Sequence, residues 1–174
     1  MAVSAQIAGI RLVEAGTNPR EQLVGLIDRY ESPLCGYLRV IVGDPDIVFD
    51  CAQDSFLRAY EHLSKGRSVN SQWLYKVARN RAIDHIRHRD RIDRDPEVLE
   101  QLTNDEQSPS YRTRQVRLVL AELPLADREL LYLSIVDRFK TEEIGAMLGI
   151  RSGAVRVRLF RARERFRVLY RSMP

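Results

Sequence analysis

The sequence predicts an all-α chain made of two small helical domains joined by an acidic flexible linker, the C-terminal one a helix-turn-helix. Apolar residues recur at steps of three and four through most of its 174 residues. Prolines and glycines punctuate that pattern at helix starts and ends. One aperiodic stretch, residues 92–110, carries six acids against the single Arg94, together with Pro96 and Pro109, and divides the chain. The expected division is an N-terminal extension over 1–18, a first domain over 19–91, a linker over 92–111 and a second domain over 112–174.

Composition narrows the class. With 44% hydrophobic residues the chain can bury a core, which excludes global disorder. Cys35 and Cys51 lack metal-ligand spacing and a disulfide pattern, and read as small buried hydrophobes. The first nineteen residues lack a signal-peptide core and no apolar run is long enough to span a membrane, so a cytoplasmic protein without membrane insertion is expected.

The first helix starts at Asn18-Pro19-Arg20-Glu21, where a capping side chain, a proline at the first helical position and an acid coincide. Leu23, Leu26, Ile27 and Tyr30 follow at helical spacing, Pro33 is expected to kink or restart the helix, and Gly43 to end it. Asp44-Pro45 opens a second helix with an apolar face of Val48, Cys51, Ala52, Ser55, Phe56, Ala59, Tyr60 and Leu63, opposite Asp50, Asp54 and Arg58. After the turn-rich segment 64–71, a third helix from about Gln72 buries Leu74, Val77, Ala78 and Ile86. Its polar stripe carries Lys76, Asn80, Asp84, Arg87, His88 and Arg91. Arg79, Arg81 and Arg89 lie on or beside that stripe. Arginines suit phosphates and the aromatic Trp73 and Tyr75 could stack on unpaired bases, so the stripe points to nucleic acid, against the plainer reading of a solvated face.

The C-terminal third is more specific. Leu123-Pro124 separates two helical patterns, the second running through Leu130, Leu131 and Ile135 to a turn at Phe139-Lys140. Thr141 is placed to cap a short helix that has Glu142 and Glu143 in its first turn and Gly149 at its end. Ser152 then caps a last helix whose buried face is Val155, Leu159, Ala162, Phe166 and Leu169. A short helix, a tight turn and a second helix make a helix-turn-helix. Residues 151–171 hold eight arginines against Glu164, a net +7 within a chain of net +4. Charge so concentrated calls for a polyanionic partner. In the major groove Ala154, Val157, Arg158 and Arg161 would face base edges, with Arg151 and Arg156 near phosphates; Arg reads guanine, while Ala and Val offer methyl contacts to thymine.

Three runs resemble the extracytoplasmic-function (ECF) sigma factors of bacterial RNA polymerase, of the sigma-seventy family: FDCAQDSFLRAY from Phe49 to Tyr60, WLYKVARNRAIDHIR from Trp73 to Arg87, and EEIGAMLGIRSGAVRVRLFRAR from Glu142 to Arg163. The resemblance covers about residues 20–172. It implies a promoter-specificity subunit that binds core RNA polymerase and directs initiation, with no cofactor, no metal and no catalytic residue of its own. Asp50, Gln53, Asp54 and Phe56 match the positions that dock on the clamp helices of the polymerase largest subunit, and two carboxylates suit a basic partner. Asn80, Asp84, Arg87 and His88, with the 64–71 loop, match the minus-ten element site. Asn80 can bond a base edge, Arg87 can hold a phosphate, and Asp84 could equally orient a neighbouring Arg or His. Trp73 reads as core. Arg151, Ser152, Ala154, Arg156, Val157, Arg158 and Arg161 would serve the minus-thirty-five element. The resemblance also implies contact with the polymerase flap and makes an anti-sigma protein a candidate partner.

Two departures stand out. Ile47, Val48 and Phe49 replace acids that the family often carries before the Gln53 position, leaving Asp46 and Asp50, and Ala154 and Val157 stand where family recognition helices often have Thr and Ser. The acids of the linker could occupy basic polymerase channels otherwise used by nucleic acid. A polymerase-independent helix-turn-helix regulator is the alternative function; it leaves the Gln53 run and the Asn80 to Arg87 helix unexplained. Asp84, His85 and His88 are the only cluster that tempts an enzymatic reading, and they lack a third ligand or a nucleophile.

Overall fold

A computed structural model describes residues 18–92 and 111–172, so the extension and the acidic linker lie outside the described residues. Seven α-helices account for nearly all of them, with no strand among the described residues. The first region holds α1 (Pro19–Val42), α2 (Pro45–Ser64) and α3 (Ser71–Ile92). The second holds α4 (Tyr111–Glu122), α5 (Leu125–Leu131), α6 (Thr141–Leu148) and α7 (Ser152–Ser172).

Local chemistry sets most boundaries. The Asn18 side chain accepts from Arg20 N at 3.0 Å. Asp44 accepts from Asp46 N at 2.9 Å, and the Asn70 side chain accepts from Trp73 N at 2.8 Å, so α3 begins at Ser71, one residue ahead of expectation. At Gly43 the chain turns with φ 78°, a conformation that costs a side chain but not glycine, while the Gly43 N–H still bonds Arg39 O at 3.0 Å. The helix does not restart at Pro33. The helix runs through it because Leu34, Tyr37 and Leu38 in the following turn are buried, and their packing outweighs the lost backbone bond.

The apolar face expected of α2 is buried except for Tyr60, which is half-buried; Ser55 fits there because its hydroxyl donates to Cys51 O at 2.6 Å. Cys51 is buried and Cys35 half-buried, both as free thiols.

After α5 the helix widens into a π turn over Tyr132–Val136, where Asp137 N reaches back five residues to Tyr132 O at 3.2 Å. The extra residue shifts the register. Ile135, expected to continue the apolar face, is 57% exposed, as is its neighbour Val136 at 56%, while Leu133 is fully buried. The helix-turn-helix forms where expected, with each start displaced by one residue: α6 has Thr141 as its first residue, and Glu143 bonds the Lys140 N–H at 2.8 Å. Gly149 ends it in the left-handed conformation. Gly145 is where α6 meets the turn. A Cβ there would stand 2.6 Å from the Ile150 carbonyl oxygen, which receives the backbone so closely only because no side chain intervenes.

One core runs through both regions. Leu34, Tyr37, Leu38, Leu74, Tyr75 and Ala78 from α1 and α3 share it with Leu130, Leu133, Phe139, Ile144 and Met147. At the seam Glu129 is 2% exposed and accepts from the Tyr37 hydroxyl at 2.9 Å and from Arg79 Nε and Nη2 at 2.8 and 3.1 Å. Burial, then the Glu129 charge, hold the Tyr37 phenol well above its ordinary pKa. Asp137, 2% exposed, faces Tyr75, and burial pushes its carboxyl up to about 7 although the Tyr75 hydrogen bond favours the charged form.

Two expectations follow. Gly145→Ala should destabilise the protein by about 1–3 kcal/mol, because backbone rather than a mobile side chain blocks the new methyl group; an unchanged melting temperature would refute this close approach. Asp137 binds a proton more tightly folded than unfolded, where the usual value is 3.8, so the stability it contributes is full below about pH 4 and is lost as pH rises towards 7. Between pH 5.5 and 7.5, urea unfolding should show the wild type losing about 1–2 kcal/mol relative to Asp137→Asn. Parallel pH profiles would contradict the buried-acid assignment.

Candidate nucleic-acid interface

Three exposed faces carry the residues singled out in the sequence. On α2, Asp50 and Gln53 are exposed and Asp54 is half-buried. Asp54 is already engaged, at 3.0 Å from Arg58 Nε within the helix and 3.6 Å from Arg81 Nε on α3. It ties the two helices together as well as lying on the outer face. Phe56 is corrected by the structure: it is 7% exposed and packs in the core, because position 56 shares the inner face with Ala52, Ala59 and Leu63. The apolar residues that α2 does present are Phe49 and Leu57, 60% and 58% exposed, which flank Gln53 at steps of four.

On α3, Lys76, Asn80, Asp84, Arg87 and His88 are all exposed along one face, and Arg87 lies 3.9 Å from Asp84 one turn earlier. This pair bears on the orienting role weighed for Asp84. The side chains of Arg89 and Arg91 lie outside those described. Tyr75 is corrected: at 1% exposed, ringed by Tyr37 and Phe139 at centroid distances of 5.3 and 5.0 Å, it is no platform for bases. Trp73 is half-buried and stacks on His62 at 4.7 Å, in keeping with its reading as core. Arg79, read as part of the phosphate-binding set, is instead held by Glu129. The hydrogen bonds and charge of Glu129 raise its pKa against the downward pull of burial. The signal was present: Arg79 follows Tyr75 by four and precedes Ala82 by three, on the buried stripe.

On α7, Arg151, Arg156, Val157, Arg158 and Arg161 are exposed, and Ser152 and Ala154 are half-buried. The arginines of the helix divide. Arg165 pairs with Asp127 and Arg167 with Glu164 in its C-terminal half, where Arg163 and Arg171 stay unpaired, whereas none of Arg151, Arg156, Arg158 and Arg161 makes an ion pair among the described residues. Free positive charge therefore gathers at the N-terminal half, the end that a helix-turn-helix directs at base edges. Behind α7 the π turn opens an apolar groove of about 400 Å³, lined by Val116, Leu120, Leu131, Ile135, Val136 and Phe166 with Arg163 and Arg167 at its rim. No group of three or more His, Cys, Asp or Glu is placed to hold a metal among the described residues, and none of the described helices is long and apolar enough to cross a membrane.

Comparison with known proteins agrees with this arrangement. Sigma-70 region 2 matches residues 26–92 and Sigma-70 region 4 matches residues 113–166. The ECF RNA polymerase sigma factor SigM of Bacillus subtilis is 31% identical over 148 residues, covering 81% of this chain and 90% of that protein. The chain is an ECF sigma factor of the sigma-70 family. A second relative, the RNA polymerase sigma factor CarQ of Myxococcus xanthus, is 32% identical over 153 residues, covering 83% of this sigma factor and 86% of its own length. Among solved structures, CnrH in complex with the cytosolic domain of CnrY shares the fold at a TM-score of 0.67, with 24% identity over 92% of this chain and 94% of that one. The sigma factor RpoE of Bartonella quintana, solved with the anti-sigma factor NepR, has a TM-score of 0.66 and 20% identity, covering 89% and 98%. As a sigma factor the protein binds core RNA polymerase and promoter DNA and directs transcription initiation; a polymerase-independent regulator is not favoured.

The two phenylalanines of α2 should behave oppositely. Phe56→Ala should cost about 3–5 kcal/mol in chemical unfolding, as a buried ring leaves a cavity. Phe49→Ala should stay within about 0.5 kcal/mol. Equal losses would mean the face of α2 has been misassigned.

Proposed function

We propose that the sigma factor works through three separate contacts. Asp50 and Gln53, flanked by Phe49 and Leu57, dock α2 on the clamp helices of the polymerase largest subunit, with Asp54 contributing to the same face while bracing α3. An acid, an amide and two apolar residues on one exposed turn sequence suit a basic surface with an apolar centre. Asn80, Arg87 and His88, with Asp84 orienting Arg87, hold the separated strand of the minus-ten element; the 64–71 loop lies directly before them. Arg151, Ser152, Ala154, Arg156, Val157, Arg158 and Arg161 engage the minus-thirty-five element, where Val157 and Ala154 offer methyl groups and Arg158 and Arg161 offer guanine or phosphate contacts.

The observation that carries this reading is the clustering of unpaired arginines at the N-terminal half of α7 on the same chain as the exposed α2 face. Residues 19–91 then serve as region 2 and residues 112–174 as region 4, built on the core that the two share. The apolar groove behind α7 suits a helix of the polymerase flap. Such a protein works in the cytoplasm, has no catalysis of its own because the polymerase supplies phosphoryl transfer, and is a candidate for restraint by an anti-sigma protein, the kind of partner that RpoE carries in its solved complex.

Purified core polymerase should be retained by the wild type and lost by Asp50→Arg/Gln53→Ala. Arg158→Ala/Arg161→Ala should keep polymerase binding and lose promoter use; loss of both functions in that variant would point to a damaged fold. Duplex binding through α7 should fall with salt at a log-log slope of roughly −4, as four or five neutralised phosphates require, and a flat response would remove the electrostatic basis of the assignment.

A further inference from the structure

One backbone conformation goes against the residue that holds it. Arg138 has φ 56°, the only positive value among the described residues other than glycines; Gly43, Gly66 and Gly149 take the rest. In that left-handed region a Cβ crowds the following carbonyl oxygen, a cost that glycine escapes. The conformation is required here because it closes the π turn. Asp137 N bonds Tyr132 O at 3.2 Å and Phe139 N bonds Leu133 O at 2.9 Å, which returns Phe139 to the core. Glycine or asparagine would suit position 138, yet it holds an arginine.

No contact within the chain accounts for that arginine. Its side chain is exposed and takes part in no hydrogen bond or ion pair among the described residues. Its surroundings are basic. Lys140 is exposed two residues on, and Arg156 of α7 reaches the same end of α6. The Glu142 carboxyl records this: it is held below its ordinary pKa by its own backbone N–H and the Thr141 hydroxyl, and further by the charges of Arg156 and Lys140. Glu143 is occupied elsewhere, by the Lys140 N–H and by Gln72. Three cations therefore gather at the start of α6 against one exposed carboxylate. A helix-turn-helix lays its first helix across the sugar–phosphate backbone while the second enters the major groove. Here the first helix is α6, and Arg138 lies just ahead of it.

We propose that Arg138 is a further promoter-binding residue whose guanidinium holds a backbone phosphate beside the minus-thirty-five element, where α6 crosses the strand. This rests on the reading that α7 engages that element. The contact is charge-assisted and blind to base identity, so it positions α7 without choosing its sequence. The turn favours such a role. The backbone bonds made by Asp137 and Phe139 hold residue 138 from both sides, so only the side chain remains to be ordered when a phosphate arrives. Backbone strain kept at one exposed residue, with no internal partner, fits a site kept for an external one.

The test uses the full chain with core polymerase and a duplex that the wild-type holoenzyme selects from a random-sequence pool. Arg138→Gly and Arg138→Asn fit the left-handed turn and lack the charge, whereas Arg138→Lys keeps the charge alone. The two uncharged variants should melt about 1–3 °C above the wild type and bind core polymerase as it does. Their affinity for the selected duplex should nevertheless fall about three- to tenfold, with a log-log salt slope shallower by about one. Arg138→Lys should keep the wild-type slope. Uncharged variants that bind the duplex as the wild type does overturn the proposal, as does a loss of affinity with an unchanged slope. Should Arg158→Ala/Arg161→Ala hold the duplex as tightly as the wild type, the reading of α7 fails instead, and a wild type that selects no duplex refutes both.

Discussion

The structure depends on a carboxylate placed where carboxylates are seldom found. Glu129 is almost wholly out of water, and a charge in that position is tolerable only with strong partners. It has them from two directions, a bidentate guanidinium from α3 and a phenol from α1. Each of three helices contributes one group, so their mutual placement is fixed by hydrogen-bond geometry rather than by apolar contact alone. Breaking such a cluster from one side costs about 3–5 kcal/mol, a large part of what a domain of this size has to spare. The aromatic residues around it follow from the same placement: Tyr37 stands 5.3 Å from Tyr75 and 6.2 Å from Tyr132, and Tyr75 in turn faces Asp137 and Phe139.

Helix order and helix ends were readable in the sequence because they are set locally. Asn18, Asp44 and Gly149 each act on backbone groups within a few residues, so their chemistry does not depend on the rest of the chain. Pro33 was misleading for the complementary reason: its local preference is opposed by Leu34, Tyr37 and Leu38, whose burial depends on helices far away in sequence. The π turn at Tyr132–Val136 was invisible, since a single added residue leaves no mark on an apolar pattern until Ile135 and Val136 are found facing outward. On α2 the spacing gave the buried face correctly, and Phe56 went astray only when a docking role was laid over that face. Arg79 shows a different limit. Its position on the buried stripe was visible, but its partner lies 50 residues away and no periodicity pairs the two.

Charge along α7 shows how a structure can sharpen a composition. Eight arginines over residues 151–171 suggest a uniformly basic rod. Arg165 is bound to Asp127 of α5 and Arg167 to Glu164, so the C-terminal half is partly neutralised by its own surroundings. The half that projects from the turn at Gly149 has none of its arginines so paired, and beyond it only Arg163 and Arg171 stay free among the described residues. A polyanion approaching this helix meets an end-weighted field, which favours one orientation over its reverse before any base is read.

The seam joins these two themes. An apolar joint between the regions would be at least as stable, since burying an ion pair seldom gains over well-packed hydrocarbon. Most of the joint is indeed apolar: Leu34, Leu38, Leu74 and Ala78 pack in one core with Leu130, Leu133, Phe139, Ile144 and Met147. Glu129, Arg79 and Tyr37 add direction to that apolar contact, because their hydrogen bonds are all met in only one placement of the three helices. The Glu129 carboxylate holds Arg79 in the bidentate geometry that a guanidinium otherwise offers a phosphate, which is why this arginine, on the same helix as Asn80 and Arg87, is absent from the exposed nucleic-acid face.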